Sequence, residues 1–420
     1  MDSLLELGPG DPASTVRDSV SAWVEGHVPA DWLAAARSGD PRKLREVRSR
    51  EDYEDWYPAL AASGLVAPAW PRQFGGLGLP GPLVRVVNEV LAGARLARLN
   101  FIGVNLAGPT ILEWGTEEQK ERYLRPILDN SEIWCQLFSE PSAGSDLAGL
   151  ATRARRTGGD WIVDGQKVWT SFAHRARFGL LLARTDPAVP KHRGLTYFLA
   201  DMGAAGVTVR PLREMTGNAV FNEVFLDGVA LPDTARLGPV GEGWAVARTT
   251  LMNERSALGT GGGFSDGKGG RSVLQLLDAY RAGAGGASPA ERAATRHDLV
   301  RAWADKRVGE WTAQRAKAAR LAGRPLGPEG SVAKLFEAQR NQRLQRLAHS
   351  MLGAQGMARD ADDNATAEVW HGFLRSRANT IEGGTSEIQR NILGERVLGL
   401  PAEPAVDRDI AWQDILSRRT

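Results

Sequence analysis

Ser139-Glu140-Pro141-Ser142-Ala143-Gly144-Ser145-Asp146, followed about twenty residues on by Asp164-Gly165-Gln166-Lys167-Val168-Trp169-Thr170-Ser171, is the pair of stretches on which the reading of this chain turns. The first is rich in small residues and hydroxyls, so its backbone can approach a bulky polar ligand and offer N–H and O–H donors at close range. The second is expected to open with a hairpin turn at Asp164-Gly165 and to run into a strand that carries Trp169. Strand periodicity puts Ser171 on the same face as Trp169, so an indole and a hydroxyl are offered to one object. Together the two stretches read as a cradle for a flat ring with a polar edge, of the flavin kind. Plainer readings exist for each part: Gly144-Ser145-Asp146 as a turn closed by an Asx hydrogen bond, and Trp169 as sandwich core.

Working outward, the texture changes on both sides of the cradle. From residue 15 to about 133 apolar residues recur three or four apart, as in Trp56, Leu60, Leu65 and in Val84, Val87, Val90, Leu91. Turn chemistry breaks this helical pattern at Trp70-Pro71 and around Gly75-Gly76 and Gly78. Between about 134 and 238 come short valine-, phenylalanine- and threonine-rich runs: 161–169, 179–184, 195–199, 206–210 and 220–226. Beyond Gly241-Glu242-Gly243 the helical period returns in long segments over 244–258, 300–321, 331–352 and 386–397. The expected fold is α+β and multidomain: an N-terminal α-helical domain (1–133), a middle β-barrel-like domain (134–238) and a C-terminal four-helix bundle (239–420). Glycine crowds two places, 259–270 and 283–286, and no internal repeat is present.

Two further constellations carry chemistry. In Thr380-Ile381-Glu382-Gly383-Gly384-Thr385-Ser386-Glu387-Ile388-Gln389-Arg390-Asn391, Thr385 or Ser386 is a natural helix N-cap. Two glycines before a helix start leave bare N–H groups for a carbonyl oxygen or phosphate, although a simple loop into a capped helix has the same look. The other is Glu254-Arg255, where positions 247, 251, 254 and 258 share one seam and place Glu254 in line with Ala247, Leu251 and Leu258. Such a carboxylate is either half of an ion pair or a general base raised toward neutral pH by desolvation.

Composition narrows the rest. The 52 basic and 50 acidic side chains of this 420-residue chain leave a net charge of +2, which supplies no basic surface for nucleic acid and none for an anionic membrane. One cysteine, Cys135, excludes an internal disulfide and a multi-cysteine metal site, and no metal is expected. Met1 to Leu7 lack the basic start and apolar run of a secretion signal, and no membrane-length apolar stretch follows, so a cytoplasmic location is expected.

These pieces, in this order, resemble the acyl-CoA dehydrogenase family. The likeness also takes in Trp70-Pro71 to Gly76, Gly115-Thr116-Glu117-Glu118-Gln119-Lys120 to Pro126, Phe221 to Pro232, and Ala333-Lys334-Leu335. The resemblance implies an enzyme in which FAD is held by Gln136, Leu137, Phe138, Ser139, Gly144, Ser145, Trp169, Thr170 and Ser171, with Trp169 against the ring and Ser171 near N5. It implies that Thr385, Ser386 and Glu387 approach the cofactor from the C-terminal domain, and that Gly353-Ala354 meet the FAD of a neighbouring subunit. Ser145, Arg255 and Gly384 fall at substrate-binding positions.

The catalytic base is the informative departure. Many members carry it immediately before the Gly-Thr of the last motif, a place taken here by Gly383, with Glu382 one residue earlier. Isovaleryl-type and long-chain members carry it instead in a Glu-Arg pair on the earlier helix, which this chain has, so the resemblance favours Glu254 over Glu382. The implied reaction is removal of the α-proton of an acyl-CoA thioester by Glu254 while the β-hydrogen leaves as hydride to FAD, giving a trans-2-enoyl thioester. The backbone N–H at Gly383, with a ribityl hydroxyl of FAD, resembles the family's device for polarising the thioester oxygen. Electrons would pass to an electron-transfer flavoprotein. The expected assembly is a homotetramer or dimer, or a heterotetramer of the kind found in actinobacterial members, because Ser350 and Ala354 alter the paired-glycine motif and 259–270 replace an arginine-containing FAD-binding sequence. A catalytically quiet partner subunit, an acyl-CoA oxidase and a flavin monooxygenase are rival readings on the same fold. Small residues at Gly103, Ala107 and Gly108 suggest a roomy acyl pocket, as for a branched, polycyclic or biosynthetic substrate.

Overall fold

A computed structural model of the protein describes residues 4–259, 270–283, 288–321, 329–358, 364–405 and 407–417. They fall into two units, one made of 1–212, 221–253 and 407–420, the other of 213–220 and 254–406.

The first unit opens with α1 (Ala13–His27), α2 (Ala30–Arg37), α3 (Pro41–Val47), α4 (Arg50–Ala62), α5 (Gly81–Gly93), α6 (Gly108–Trp114) and α7 (Glu117–Leu128). The spacing read from the sequence is the buried stripe: Leu60, Leu65 and Val87 are sealed in one core with Val16, Val20, Ile111, Leu124 and Ile127. Local chemistry sets the helix starts. Ser49 and Asp52 form a reciprocal capping box on α4, and Thr116 and Gln119 form another on α7. Gln119 does more than cap, since its amide nitrogen donates to the carbonyls of Thr234 (2.8 Å) and Arg236 (2.9 Å) and ties α7 to the β region.

That region is one eight-stranded mixed sheet: β1 (Trp134–Leu137), β2 (Arg153–Thr157), β3 (Asp160–Ser171), β4 (Phe178–Arg184), β5 (Leu195–Asp201), β6 (Val207–Leu212), β7 (Phe221–Leu231) and β8 (Arg236–Leu237). The pairing path runs β6-β7-β3-β2-β4-β5-β8, with β1 added parallel to β4. The path does not return on itself, so the barrel-like expectation is corrected to an open sheet with β6 and β8 at its edges. A second correction concerns the hairpin. Thr157 pairs with Asp160, so the chain reverses at Gly158-Gly159, and Asp164-Gly165 lie inside β3 at a register shift. Asp164 is held in the strand because its carboxylate accepts the Gly228 N–H at 2.9 Å and pairs with Arg155 at 3.0 Å.

α8 (Gly243–Gly259) begins in this unit, where Val246 and Ala247 join the helical core. Thr250 on α8 shares buried hydroxyl contacts with Thr110 (3.0 Å) and Tyr197 (2.9 Å), tying together α6, α8 and β5.

The second unit continues α8 and adds α9 (Val273–Arg281), α10 (Pro289–Leu321), α11 (Glu329–Ser350), α12 (Asn364–Arg375) and α13 (Ser386–Arg396). Its core joins Val273, Leu276, Leu299, Leu344, Leu347, Ala348 and Val369, and α11 packs against α10, α12 and α13. α9 and α12 are additional to the long helices expected from sequence. The chain closes with α14 (Trp412–Ser417), which belongs to the first unit. Among the described residues no helix is long and apolar enough to cross a membrane, and no group of three or more His, Cys, Asp or Glu could hold a metal ion.

Candidate active site

The two stretches that open the sequence reading meet in the first unit: the Val168 N–H donates to the Ser139 carbonyl at 2.9 Å. Beneath that contact lies an ion pair that sequence reasoning missed. Lys167 is wholly buried, and its ammonium spends all three donors, on Glu140 Oε1 (2.8 Å), the Phe138 carbonyl (3.0 Å) and the Leu182 carbonyl (2.9 Å). Glu140 also accepts the N–H groups of Ala151 (2.6 Å) and Thr152 (2.9 Å). Burial works to raise the Glu140 pKa, but the Lys167 charge and these donated bonds outweigh it and hold the carboxyl below its ordinary value. The only signal in the sequence was a lysine in phase with the inward residues of a strand.

This clamp fixes the base of the loop. Glu140 and Ala143 exchange two backbone bonds, of 3.0 and 3.1 Å, and Ala143, Leu147 and Ala148 are buried. Pro141, Ser142, Gly144, Ser145 and Asp146 are left exposed at its apex.

Trp169 is 56% exposed, which disposes of the reading as sandwich core. It sits at a bulge in β3, between the pairs Lys167–Val224 and Thr170–Asn222, with φ of 60°. A bulky side chain in left-handed backbone costs about 1–3 kcal/mol and persists only where its surroundings impose it. Its ring meets the edge of Phe221, with centroids 5.8 Å apart. Alternation survives the bulge in outcome: Val168 and Thr170 are buried, while Trp169 and Ser171 are turned outward, exposed and half-buried respectively. Thr170 Oγ1 is enclosed with no partner among the described residues, and Leu137 and Phe138 point into the core. Gln136 is half-buried on β1.

In the second unit the chain turns sharply into α13. Gly383 and Gly384 both adopt left-handed backbone, with φ of 63° and 90°. A side chain on Gly384 would meet the Gln389 amide nitrogen at 2.7 Å. Gln389 is buried and donates to the Gly383 carbonyl at 3.1 Å, and Lys334 Nζ donates to the Gly384 carbonyl at 2.6 Å. Both carbonyls are therefore held from behind, and no acceptor among the described residues takes the Gly383 N–H. Thr385 is the N-cap, accepting the Ile388 N–H at 3.3 Å, while Ser386 is buried with a hydroxyl that has no partner among the described residues, and Glu387 is exposed, paired with Arg390 at 3.0 Å.

Glu382 is committed elsewhere. Its carboxylate takes both Arg375 guanidinium nitrogens (2.7 and 3.2 Å) and the Asn379 amide (3.0 Å). Glu254 is half-buried on α8, in phase with Ala247 and Leu251, both of which pack in the helical core. The side chains of Arg255 and Leu258 lie outside the described residues, as does most of 259–270. Gly353, at φ of 56°, and Ala354 are exposed at the start of a 3-10 turn after α11.

Comparison with known proteins agrees with this layout from residue 13 to residue 398. Residues 13–131, 135–229 and 241–398 match, in order, the N-terminal, middle and C-terminal domains of acyl-CoA dehydrogenase. The acyl-CoA dehydrogenase IpdE1 of Mycobacterium tuberculosis is 38% identical over 393 residues, covering 92% of this chain and 97% of that protein. This chain belongs to the acyl-CoA dehydrogenase family. The acyl-CoA dehydrogenase FadE34 of the same organism is 41% identical over 345 residues, 82% of this chain, although the match spans only 46% of the longer FadE34. Among solved structures, the Tcur3481-Tcur3483 steroid ACAD superposes with a TM-score of 0.71 at 27% identity, covering 94% of this chain and 100% of that one.

Acyl-CoA dehydrogenases are flavoproteins, and the residues present suit FAD. An outward-turned indole held at strained φ, the Ser171 hydroxyl turned to the same side and an exposed hydroxyl-bearing loop are what a flat ring with a polar edge requires. The small residues have a different explanation from the one expected. A Cβ at Gly108 would overlap the Trp70 ring, and one at Gly103 would overlap the Asn100 amide, so protein atoms already fill that space.

Proposed function

We propose that this acyl-CoA dehydrogenase uses FAD to remove hydrogen from the α and β carbons of an acyl-CoA thioester, releasing a trans-2-enoyl-CoA. The observation that carries the reading is Trp169, an exposed indole kept in unfavourable backbone beside the Ser139–Asp146 loop. FAD would be held by Gly144, Ser145, Trp169, Thr170 and Ser171, by the backbone of Gln136, Leu137, Phe138 and Ser139, and by Thr385, Ser386 and Glu387, with Gly353 and Ala354 serving a neighbouring subunit. When bound, FAD supplies the acceptor for the β-hydrogen. Glu254, in the Glu-Arg pair that the family resemblance favours, takes the α-proton. The Gly383 N–H donates to the thioester oxygen and stabilises the negative charge that develops there by about 3 kcal/mol. Ser145, Arg255 and Gly384 would line the path of the acyl-CoA. The domain limits that follow are 1–133, 134–238 and 239–420.

A steroid-derived acyl group is the substrate class we favour, supported by the steroid ACAD at 27% identity. Its two-part name also supports assembly of this chain with a complementary subunit. Electrons would pass to an electron-transfer flavoprotein in the cytoplasm. The test is anaerobic titration of the purified, flavin-loaded protein with straight-chain, branched and steroid side-chain acyl-CoAs. Flavin absorbance should bleach with wild type, most with the steroid thioesters, and should persist in Glu254→Gln. Bleaching that survives Glu254→Gln would move the base elsewhere, and a colourless protein indifferent to every thioester would overturn the reading.

A further inference from the structure

The family match ends at residue 398, and the chain beyond it comes back to the first unit. There it reaches the loop that carries Ser145. Lys191, with its side chain 11% exposed, sets its ammonium between two carboxylates, Asp146 Oδ1 at 3.0 Å in the loop and Asp407 Oδ2 at 2.8 Å in the returning segment. Behind Asp146, three consecutive carbonyls are each received by a side chain: Ala148 by Arg184 Nη2 (2.6 Å), Gly149 by Trp412 Nε1 (3.2 Å) and Leu150 by Arg184 Nε (3.1 Å). The Trp412 ring covers the buried guanidinium, 4.4 Å from its centroid. Backbone bonds from Trp412 to Val189 (2.9 Å) and from Gln413 to Pro187 (3.0 Å) fasten α14 in place.

The loop therefore has two anchors of different origin. Its near end is held by the Glu140–Lys167 pair on the sheet, and its far end by Trp412 and, through Lys191, by Asp407. The apex between them, Gly144-Ser145-Asp146, is exposed and has no core side chain of its own to fix it. We infer that residues 407–417 form a strap that sets the position of Ser145, with Trp412 and Lys191 as positioning residues for acyl-CoA binding. This rests on the reading of Ser145 as a substrate contact. The strap lies beyond the residues matched by the C-terminal domain of the family, 241–398.

The experiment uses the full-length, flavin-loaded chain and compares Trp412→Ala, Lys191→Met and Trp412→Phe with wild type. The first readout is amide hydrogen exchange of residues 142–150 without substrate, and the second is the acyl-CoA KM set against kcat. Trp412→Ala and Lys191→Met should each speed exchange in that peptide and raise KM by about ten-fold, with kcat within about two-fold of wild type. Trp412→Phe keeps a ring over Arg184 and loses the N–H, so it should fall between. Unchanged exchange in both severe variants, or a loss of kcat that tracks global unfolding with KM unmoved, would overturn the strap. Faster exchange in a protein whose wild type turns over no thioester would uphold the strap and sink the reading of the activity instead.

Discussion

Lys334 on α11 donates to the carbonyl oxygen of Gly384, fifty residues away, at 2.6 Å. That bond explains a lysine whose motif could be quoted from the sequence but not interpreted. Its ammonium is partly desolvated, which pushes its pKa down, and the carbonyl it holds belongs to the turn that precedes α13. Lys334→Met should free the turn and lower kcat by about ten-fold or more, with flavin content unchanged. Steady-state kinetics and the flavin-to-protein absorbance ratio check this together, and Lys334→Arg should recover part of the loss.

The Glu140–Lys167 pair predicts a stability effect with a definite sign. Lys167→Met leaves a buried carboxylate without its partner and should cost about 3–5 kcal/mol in denaturant unfolding, whereas Glu140→Gln combined with Lys167→Met should cost less. Because the folded-state pKa of Glu140 is lowered, its stabilisation is present in full above the unfolded value, near 4.5, and is lost as pH falls through the folded value. Unfolding free energy measured from pH 6 downward should fall more steeply for wild type than for Glu140→Gln.

Legibility in the sequence followed the range of the interaction. Helix stripes such as Leu60 and Val87, the N-cap at Thr385 and the cradle as a pair of neighbouring stretches depend on local spacing, and the fold keeps them. The hairpin was misplaced because two turn dipeptides, Gly158-Gly159 and Asp164-Gly165, compete within eight residues, and strand register chose between them. Parallel β1 and two-residue β8 were invisible because pairing with β4 and β5, not composition, makes them strands. Gly103 and Gly108 were misread because a small residue has the same signature whether a ligand or a tryptophan fills the space beside it. The clamps formed by Lys167, Lys334 and Arg184 join residues far apart in the chain, and no motif announces such pairs.

Trp169 should show a trade between stability and ligand binding. Asparagine tolerates left-handed backbone better than tryptophan, and an indole 56% exposed contributes little burial. Trp169→Asn should therefore raise the stability of the flavin-free chain by up to about 1 kcal/mol while weakening flavin retention on a desalting column. A variant that loses stability and keeps its flavin would place the ring in a structural role.

Gly108→Ala distinguishes packing from pocket size. The added methyl would collide with the Trp70 ring, so overpacking should lower stability by about 1–3 kcal/mol while the relative kcat/KM for short, branched and steroid thioesters stays as in wild type. A shift in substrate preference without destabilisation would restore the roomy-pocket explanation.

The two glutamates should separate cleanly by readout. Glu382 is paired with Arg375 and Asn379 but its side chain is 38% exposed, so solvent screens the pair. Glu382→Gln should cost no more than about 1 kcal/mol of stability and leave flavin bleaching by acyl-CoA within a few-fold of wild type. Glu254→Gln should keep the fold and the flavin and slow bleaching by about a hundred-fold or more, the scale of a lost general base. Stopped-flow absorbance of both variants, with the same thioester and thermal melts alongside, decides the assignment. If Glu382→Gln proves the slower of the two, the base sits at the start of the glycine turn, and its bonds to Arg375 and Asn379 must open before each turnover.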